Sequence, residues 1–299
     1  MDKTALFLFD VVAKVKGTIV GYLGKIAKCN NFSEEGKLRF VLDGKSVGYV
    51  REEFVAYLLK SNLFVEDSGT LTIAPKYQTR GQREKALDSF AQEALRDGIT
   101  NIFMQEPYPV LEDINSEPIC LADRSISTLL GLISFGQHLN GYVKSEDGMK
   151  MWIGRRSHSR GYEAGKLDHI VAGGLPYGIS LEDNLVKECY EEAGMSRELA
   201  LKAVPVGVVS YKHEYDLGGK QDIIYCYDLE LPKSFIPQCK DGEVEEFYLL
   251  DIKEVANIVK NSDEFKLNCN LVIIDFLLRH GYLKPEEKDY IDIARGLRR

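Results

Sequence analysis

Residues 173–195 read GGLPYGISLEDNLVKECYEEAGM, and this stretch limits what the chain can fold into more than any other. Two glycines open it and a short loop follows. Ser180 then offers an N-cap, and Asp183 three residues later completes a capping box. Helical spacing runs to Ala193, and Gly194 supplies the C-terminal stop. At ~100° per residue, Glu188, Glu191 and Glu192 share an arc of roughly 100°. Leu181, Leu185, Cys189 and Ala193 form the adjoining apolar stripe. One side of this helix must therefore bury while its acids face a cleft.

Three carboxylates at i, i+3 and i+4 repel one another, and each such pair costs a helix a few tenths of a kcal/mol. They also crowd the helix C-terminus, the unfavourable end of the dipole for anions. A divalent cation removes both problems. Oxygen donors without His or Cys suit a hard ion, Mg²⁺ first and Mn²⁺ second. A solvated acidic face is the plain alternative for a Glu-Glu pair alone, and the glycine loop before it weighs against that.

The rest of the chain bounds the class. Its 299 residues allow two domains, and 44% hydrophobic with 28% charged residues describes a globular protein. A net charge of −8 argues against nucleic acid or an anionic membrane as partner, but not against a small phosphorylated substrate. Six scattered cysteines without a CxxC pair indicate reduced thiols and a cytoplasmic protein, with no metal held through sulfur. The apolar opening, MDKTALFLFDVVAKVKGTIVGYL, is broken by Asp10, Lys14 and Lys16 and reads as an early helix, not a membrane span.

Two hairpins are expected within 37–50, about an Asp-Gly turn, and in LFVEDSGTLTIAP. A helix over 80–97 places Ala86, Phe90, Ala94 and Leu95 on one face. The proline-containing segment 106–125 reads as the connection between domains, dividing the chain into 1–122 and 123–299. Long hairpins follow over 131–157, turning at Glu146–Gly148, and over 204–232, turning at Gly218–Gly219. A strand EEFYLL and helices near 251–260 and 268–281 close the chain. The fold class is α+β.

The acidic helix and its loop resemble the Nudix hydrolase box, GxxxxxE, seven residues, then REUxEExGU with U apolar. Gly173 takes the place of the box glycine, and Glu188, Cys189, Glu191, Glu192, Gly194 and Met195 follow in register. Two positions depart: Ile179 replaces the first glutamate and Lys187 the arginine. Losing both partners of a brace between loop and helix leaves no orphaned charge. HLNGYV, WIGRRS, GKLDHIVAGGLPYGIS, DGEVEEF and NLVIIDFLLRHGYL further resemble the Nudix subgroup related to thiamine pyrophosphokinase, whose members carry an N-terminal domain of unknown role. The resemblance implies an α/β/α sandwich with a mixed sheet behind a smaller α+β domain. It also implies a Mg²⁺- or Mn²⁺-dependent diphosphatase acting on thiamine diphosphate or its oxidised forms.

By box position Glu188, Glu191 and Glu192 are expected to hold metal, with the backbone at Gly173 adding an oxygen. Glu191, Glu192 and a downstream acid form the expected catalytic set, the last being Glu243 first and Glu245 second. Arg155, Arg156 and Lys166 are candidates for the diphosphate. Tyr177, Trp152, His138 and Tyr211 are candidates for an aromatic face toward the organic half. His158, His169, His213 and His280 show no ligand spacing, and Ser157 and Ser159 no nucleophile elbow. A diphosphate sensor without turnover, and an isomerase needing a cysteine that faces the acids, are the competing functions. The first domain is open to act as a lid or a homodimer surface.

Overall fold

The computed structural model describes residues 21–159 and 162–298. The helix expected over the first twenty residues lies outside them. No helix among the described residues is long and apolar enough to cross a membrane.

Helix α1 (Gly21–Cys29) precedes a hairpin of β1 (Lys37–Leu42) and β2 (Lys45–Arg51). Its turn residues Asp43 and Gly44 have φ of 51° and 77°, the double left-handed conformation a two-residue hairpin needs. After α2 (Glu52–Lys60), β3 (Phe64–Asp67) and β4 (Thr70–Ile73) repeat the device at Ser68 and Gly69. The four strands form one sheet in the order β2-β1-β4-β3. Helix α3 (Arg80–Arg96) starts from a complete Thr79–Gln82 capping box and buries Leu87, Phe90, Ala91 and Ala94. The stripe expected from sequence was rotated: Leu95 is exposed, because the i, i+3, i+4, i+7 set begins at Leu87.

The segment expected to be a connection is ordered instead. β5 (Pro107–Val110) pairs antiparallel with β6 (Cys120–Asp123), and a 3-10 turn follows at Arg124–Ile126. Val110, Cys120, Ala122 and Ile126 belong to the core of the first unit. Pro107 and Pro109 are tolerated because a two-stranded ladder leaves each strand an open edge.

The larger sheet runs β11-β12-β7-β8-β13, with β7 (Ser134–Ser145), β8 (Gly148–Arg156), β11 (Val204–Tyr215), β12 (Gly218–Glu230) and β13 (Val244–Asp251). β7 and β8 pair only from Tyr142 to Met151 and then part. β9 (Leu167–His169) continues the ladder on β8, and β10 (Val171–Gly174) on β7. The acidic helix α4 (Leu181–Ala193) and the short α5 (Arg197–Ala200) cover one face, where Leu185, Cys189 and Ala193 meet Leu139, Val171 and Leu229. α6 (Ile252–Asn261), α7 (Cys269–Arg279), α8 (Tyr290–Gly296) and α1 cover the other. The result is the expected α/β/α sandwich with a smaller α+β unit beside it. Packing does not divide the chain cleanly at 122: Ile26 and Cys29 of α1 join the large sheet's core with Phe265 and Leu297.

Where β7 and β8 part, the core is polar. His138 and His169 face each other through their Nδ1 atoms at 3.1 Å. Asp168 takes Arg156 at 2.9 Å, Lys266 at 3.2 Å and the Cys269 thiol at 2.7 Å. These four His, Asp and Cys donors lie within 4.8 Å of one another, a constellation the sequence spacing hid. Arg156 and Lys266 already neutralise Asp168, His169 Nε2 and Arg156 Nε are buried without a hydrogen-bond partner, and burial pushes the thiol pKa well up. Burial also lowers the pKa of both imidazoles, and the neighbouring His169 adds to the effect on His138.

A histidine whose folded pKa lies below its unfolded value stabilises fully above the unfolded pKa, and that stability is lost as pH falls beneath it. His138→Gln removes this titration. Its stability relative to the parent, measured by urea unfolding, should improve by up to about 1.4 kcal/mol per pH unit below about pH 6.5.

Candidate active site

Ser180 caps α4, its hydroxyl accepting from Asp183 N at 3.0 Å. The capping box is half formed, because the Asp183 carboxylate accepts from the Ser180 hydroxyl at 2.8 Å. Gly194 ends the helix at φ 65°, a left-handed position that favours glycine.

The three acids have different surroundings. Glu192 is only 5% exposed and accepts a hydrogen bond from Ala172 N at 2.8 Å. Burial holds its pKa well above the usual carboxylate range, and the charges of Glu188, Asp168 and Glu243 add to this. Glu188 lies over Gly173: a Cβ there would stand 2.4 Å from its Cδ. Its pKa is raised by burial too, with Lys187 opposing the shift. Glu191 is the outermost of the three. The Lys187 ammonium bridges Glu188 at 3.2 Å and Glu191 at 2.8 Å.

Gly173 was expected to add a backbone oxygen. In an antiparallel strand the N–H and C=O of one residue leave the same edge. Ala172 gives its N–H to Glu192, so its carbonyl lies on the edge facing the acids. The Gly173 oxygen instead lies toward β7, 3.1 Å from where a Gly136 Cβ would stand. Gly173 has no side chain where Glu188 packs, and the Ala172 carbonyl shares the strand edge of its N–H.

The loop between β10 and α4 is held without the missing Glu–Arg pair. Asn184, buried in the helix's first turns, donates to the Gly174 carbonyl at 2.9 Å and to Gln137 Oε1 at 2.7 Å. Gln137 donates back to the Leu181 carbonyl at 2.8 Å. Leu175 N reaches the Phe135 carbonyl at 3.0 Å, and Tyr177 N the Pro107 carbonyl at 2.7 Å. Sequence reasoning missed this amide bridge. Its signal was an asparagine lying beside Leu181 and Leu185 on the apolar stripe.

Glu243, just ahead of β13, acts electrostatically on both Glu188 and Glu192. Glu245 is exposed and pairs with His158 at 2.8 Å, outside that group. The basic candidates mostly have other duties. Arg156 is committed to Asp168, although its charge reaches Glu192. Arg155 donates to the Gly165 carbonyl at 2.7 Å and to Tyr248. Lys166 donates to the Asp263 carbonyl, close to Lys25. Of the aromatic candidates, His138 and Tyr211 are buried, and Trp152 is half-buried against the core that includes α4 residues. Tyr177 is exposed. Cys189 lies in the core with its pKa pushed up to about 12 by burial, not facing the acids as an isomerase would require.

Comparison with known proteins places these features. Residues 141–269 match the NUDIX domain, and residues 21–134 match a domain of unknown function, DUF4743. The chain is similar to Nudix hydrolase 20, chloroplastic, of Arabidopsis thaliana, 40% identical over 292 residues, 94% of this chain and 78% of that protein. It is equally similar to Nudix hydrolase 24, chloroplastic, of the same plant, 40% identical over 97% of this chain and 80% of that protein. Among solved structures it is similar to a C. elegans Ap4A hydrolase binary complex, at a TM-score of 0.37 and 13% identity, covering 50% of this chain and 99% of that one. Identity at the level of the two plant proteins, over nearly the full length, shows that the chain belongs to the Nudix hydrolase family, enzymes that break pyrophosphate bonds.

Proposed function

We propose that the protein is a Mg²⁺- or Mn²⁺-dependent diphosphatase that cleaves thiamine diphosphate, or its oxidised derivatives, to the monophosphate and phosphate. The observation that carries the metal-dependent reading is the acid group itself. Glu192 is a buried and Glu188 a half-buried carboxylate, both crowded beside Glu191, and the Ala172 carbonyl shares the strand edge of the N–H that Glu192 accepts. An oxygen-only donor set of this kind fits a hard divalent ion. Thiamine as the organic half rests on the likeness of AGGLPYGIS and its neighbouring motifs to the pyrophosphokinase-related subgroup.

A bound ion supplies neutralisation of the phosphoryl oxygens and orientation of the attacking water. Glu188, Glu191 and Glu192 would hold it, and the Ala172 N–H fixes the Glu192 carboxylate against the β10 edge. Glu243 takes the proton of the water as its oxygen bonds to phosphorus, and the bridging P–O bond breaks to release the monophosphate. Tyr177 offers its ring at the mouth of the loop. One observation favours a sensor instead: Lys187 lies across two of the three acids and competes for the same charge.

Phosphate release from a panel of diphosphates with Mg²⁺, including thiamine and oxythiamine diphosphate, separates the two. Tight binding without release from any member supports the sensor. Under the hydrolase reading Glu192→Gln lowers kcat/KM at least ~100-fold with its melting unchanged, and retained turnover sinks the assignment. Glu243→Gln should lower kcat by roughly 10²–10⁴, whereas Glu245→Gln should leave it near the parent value.

The loop makes its own prediction. Asn184→Ala strands the Gln137 amide and the Gly174 carbonyl, so unfolding free energy should drop by about 1–3 kcal/mol in denaturant titration. Ile179→Glu should bring no gain in kcat.

A further inference from the structure

The hairpin of β5 and β6 and the turn after it meet the loop at its first glycines. Arg124 opens that turn, and its Nη1 donates to Glu106 at 2.9 Å. Its guanidinium lies over the Tyr108 ring, 5.6 Å from the centroid. The Tyr108 hydroxyl donates to the Phe135 carbonyl at 3.1 Å, which ties this pair to β7. Arg124 then extends across the bare Cα of Gly174, where a Cβ would stand 2.5 Å from Nη1 and 2.7 Å from Cζ. Two consecutive glycines thus leave room for opposite charges: Gly173 for Glu188 and Gly174 for Arg124.

A purely structural arginine would spend its donors on the protein. Among the described residues this guanidinium donates to Glu106 alone, and 36% of the side chain is open to solvent. Its charge is felt at Glu188, yet the two form no ion pair. A cation fixed near an acidic group, unpaired with it and holding free donors, is suited to an anion shared with that group. The carboxylate and the aromatic ring hold the fork in place before any ligand arrives, so little order is lost on binding.

We propose that Arg124, contributed by the domain of unknown function, binds the phosphate group of the substrate that the acidic helix does not hold. The first domain then supplies part of the active site. This inference rests on the reading of the site as a diphosphate site and names a residue outside the Nudix domain that recognises the substrate. A planar fork suits two phosphate oxygens at once, which an ammonium does not.

Imidodiphosphate, which is not cleaved at a P–N–P bridge as the substrate is, serves as the probe. Its affinity is measured by calorimetry on the full chain with saturating Mn²⁺, alongside Mn²⁺ alone. Arg124→Ala should weaken imidodiphosphate roughly 10- to 100-fold with Mn²⁺ affinity unchanged, and Arg124→Lys should restore only part of the loss. With turnover on the cleaved diphosphate, both variants should raise KM far more than they lower kcat. If Arg124→Ala does not fold, the smaller loss in Arg124→Lys carries the same expectation. Parent-like imidodiphosphate affinity in the variants overturns the proposal, as does equal loss of Mn²⁺ and imidodiphosphate binding. So does a parent protein that binds no imidodiphosphate. A parent that binds it through Arg124 but cleaves no diphosphate removes the hydrolase reading and leaves this one standing.

Discussion

The Glu192 carboxylate against the Ala172 N–H is the contact on which the rest of the site depends. A carboxylate this deeply buried costs several kcal/mol to ionise unless something charged comes to it. The strand edge satisfies one of its oxygens and fixes the direction of the other. That edge exists only because β7 and β8 part and β10 takes up the ladder beside β7. The glycine at 173 follows from the same geometry, since any side chain there would occupy the volume of the Glu188 carboxyl. The crowding that is unfavourable for a bare helix is thereby built into a position where the sheet, and not helix propensity, decides the outcome.

Much of this was legible in the chain. Ser180 and Gly194 marked both ends of α4 to the residue, because caps are local chemistry. Asp43–Gly44 and Ser68–Gly69 marked two hairpins for the same reason. The register of the α3 face was misread by one position at each end, as a sequence rich in alanine gives the helical period little contrast. β9 and β10 went unseen: three and four residues long, they are strands only because two longer strands diverge around them. The His138–Asp168–His169–Cys269 network was invisible for a related reason, since its members come from separate elements and no spacing links them.

The misreading with the greatest consequence was the segment 106–125. Proline and acidic residues in succession are the usual mark of a linker. Here the prolines occupy one strand of a two-stranded ladder, where a missing N–H costs nothing, and Tyr108 and Val110 alternate with them into the interior. The loop brace was read only in part. Ile179 and Lys187 pointed to a lost ion pair, and Lys187 turned instead to Glu188 and Glu191. The work passed to Asn184 and Gln137, whose amides are buried and satisfied together. A neutral amide bridge does this at a smaller desolvation cost than an ion pair.

These two findings are connected. A loop that has lost its charged brace needs other supports, and they come from both sides. Amides from α4 and β7 hold its start, and the Pro107 carbonyl takes the N–H of Tyr177 farther along. The first domain therefore fixes the conformation of the loop that begins the Nudix box. Arg124 and Tyr108 reach Gly174 from the same hairpin. Separating the domains would remove the seat of the loop and the cation beside it in one step, although each unit has its own core.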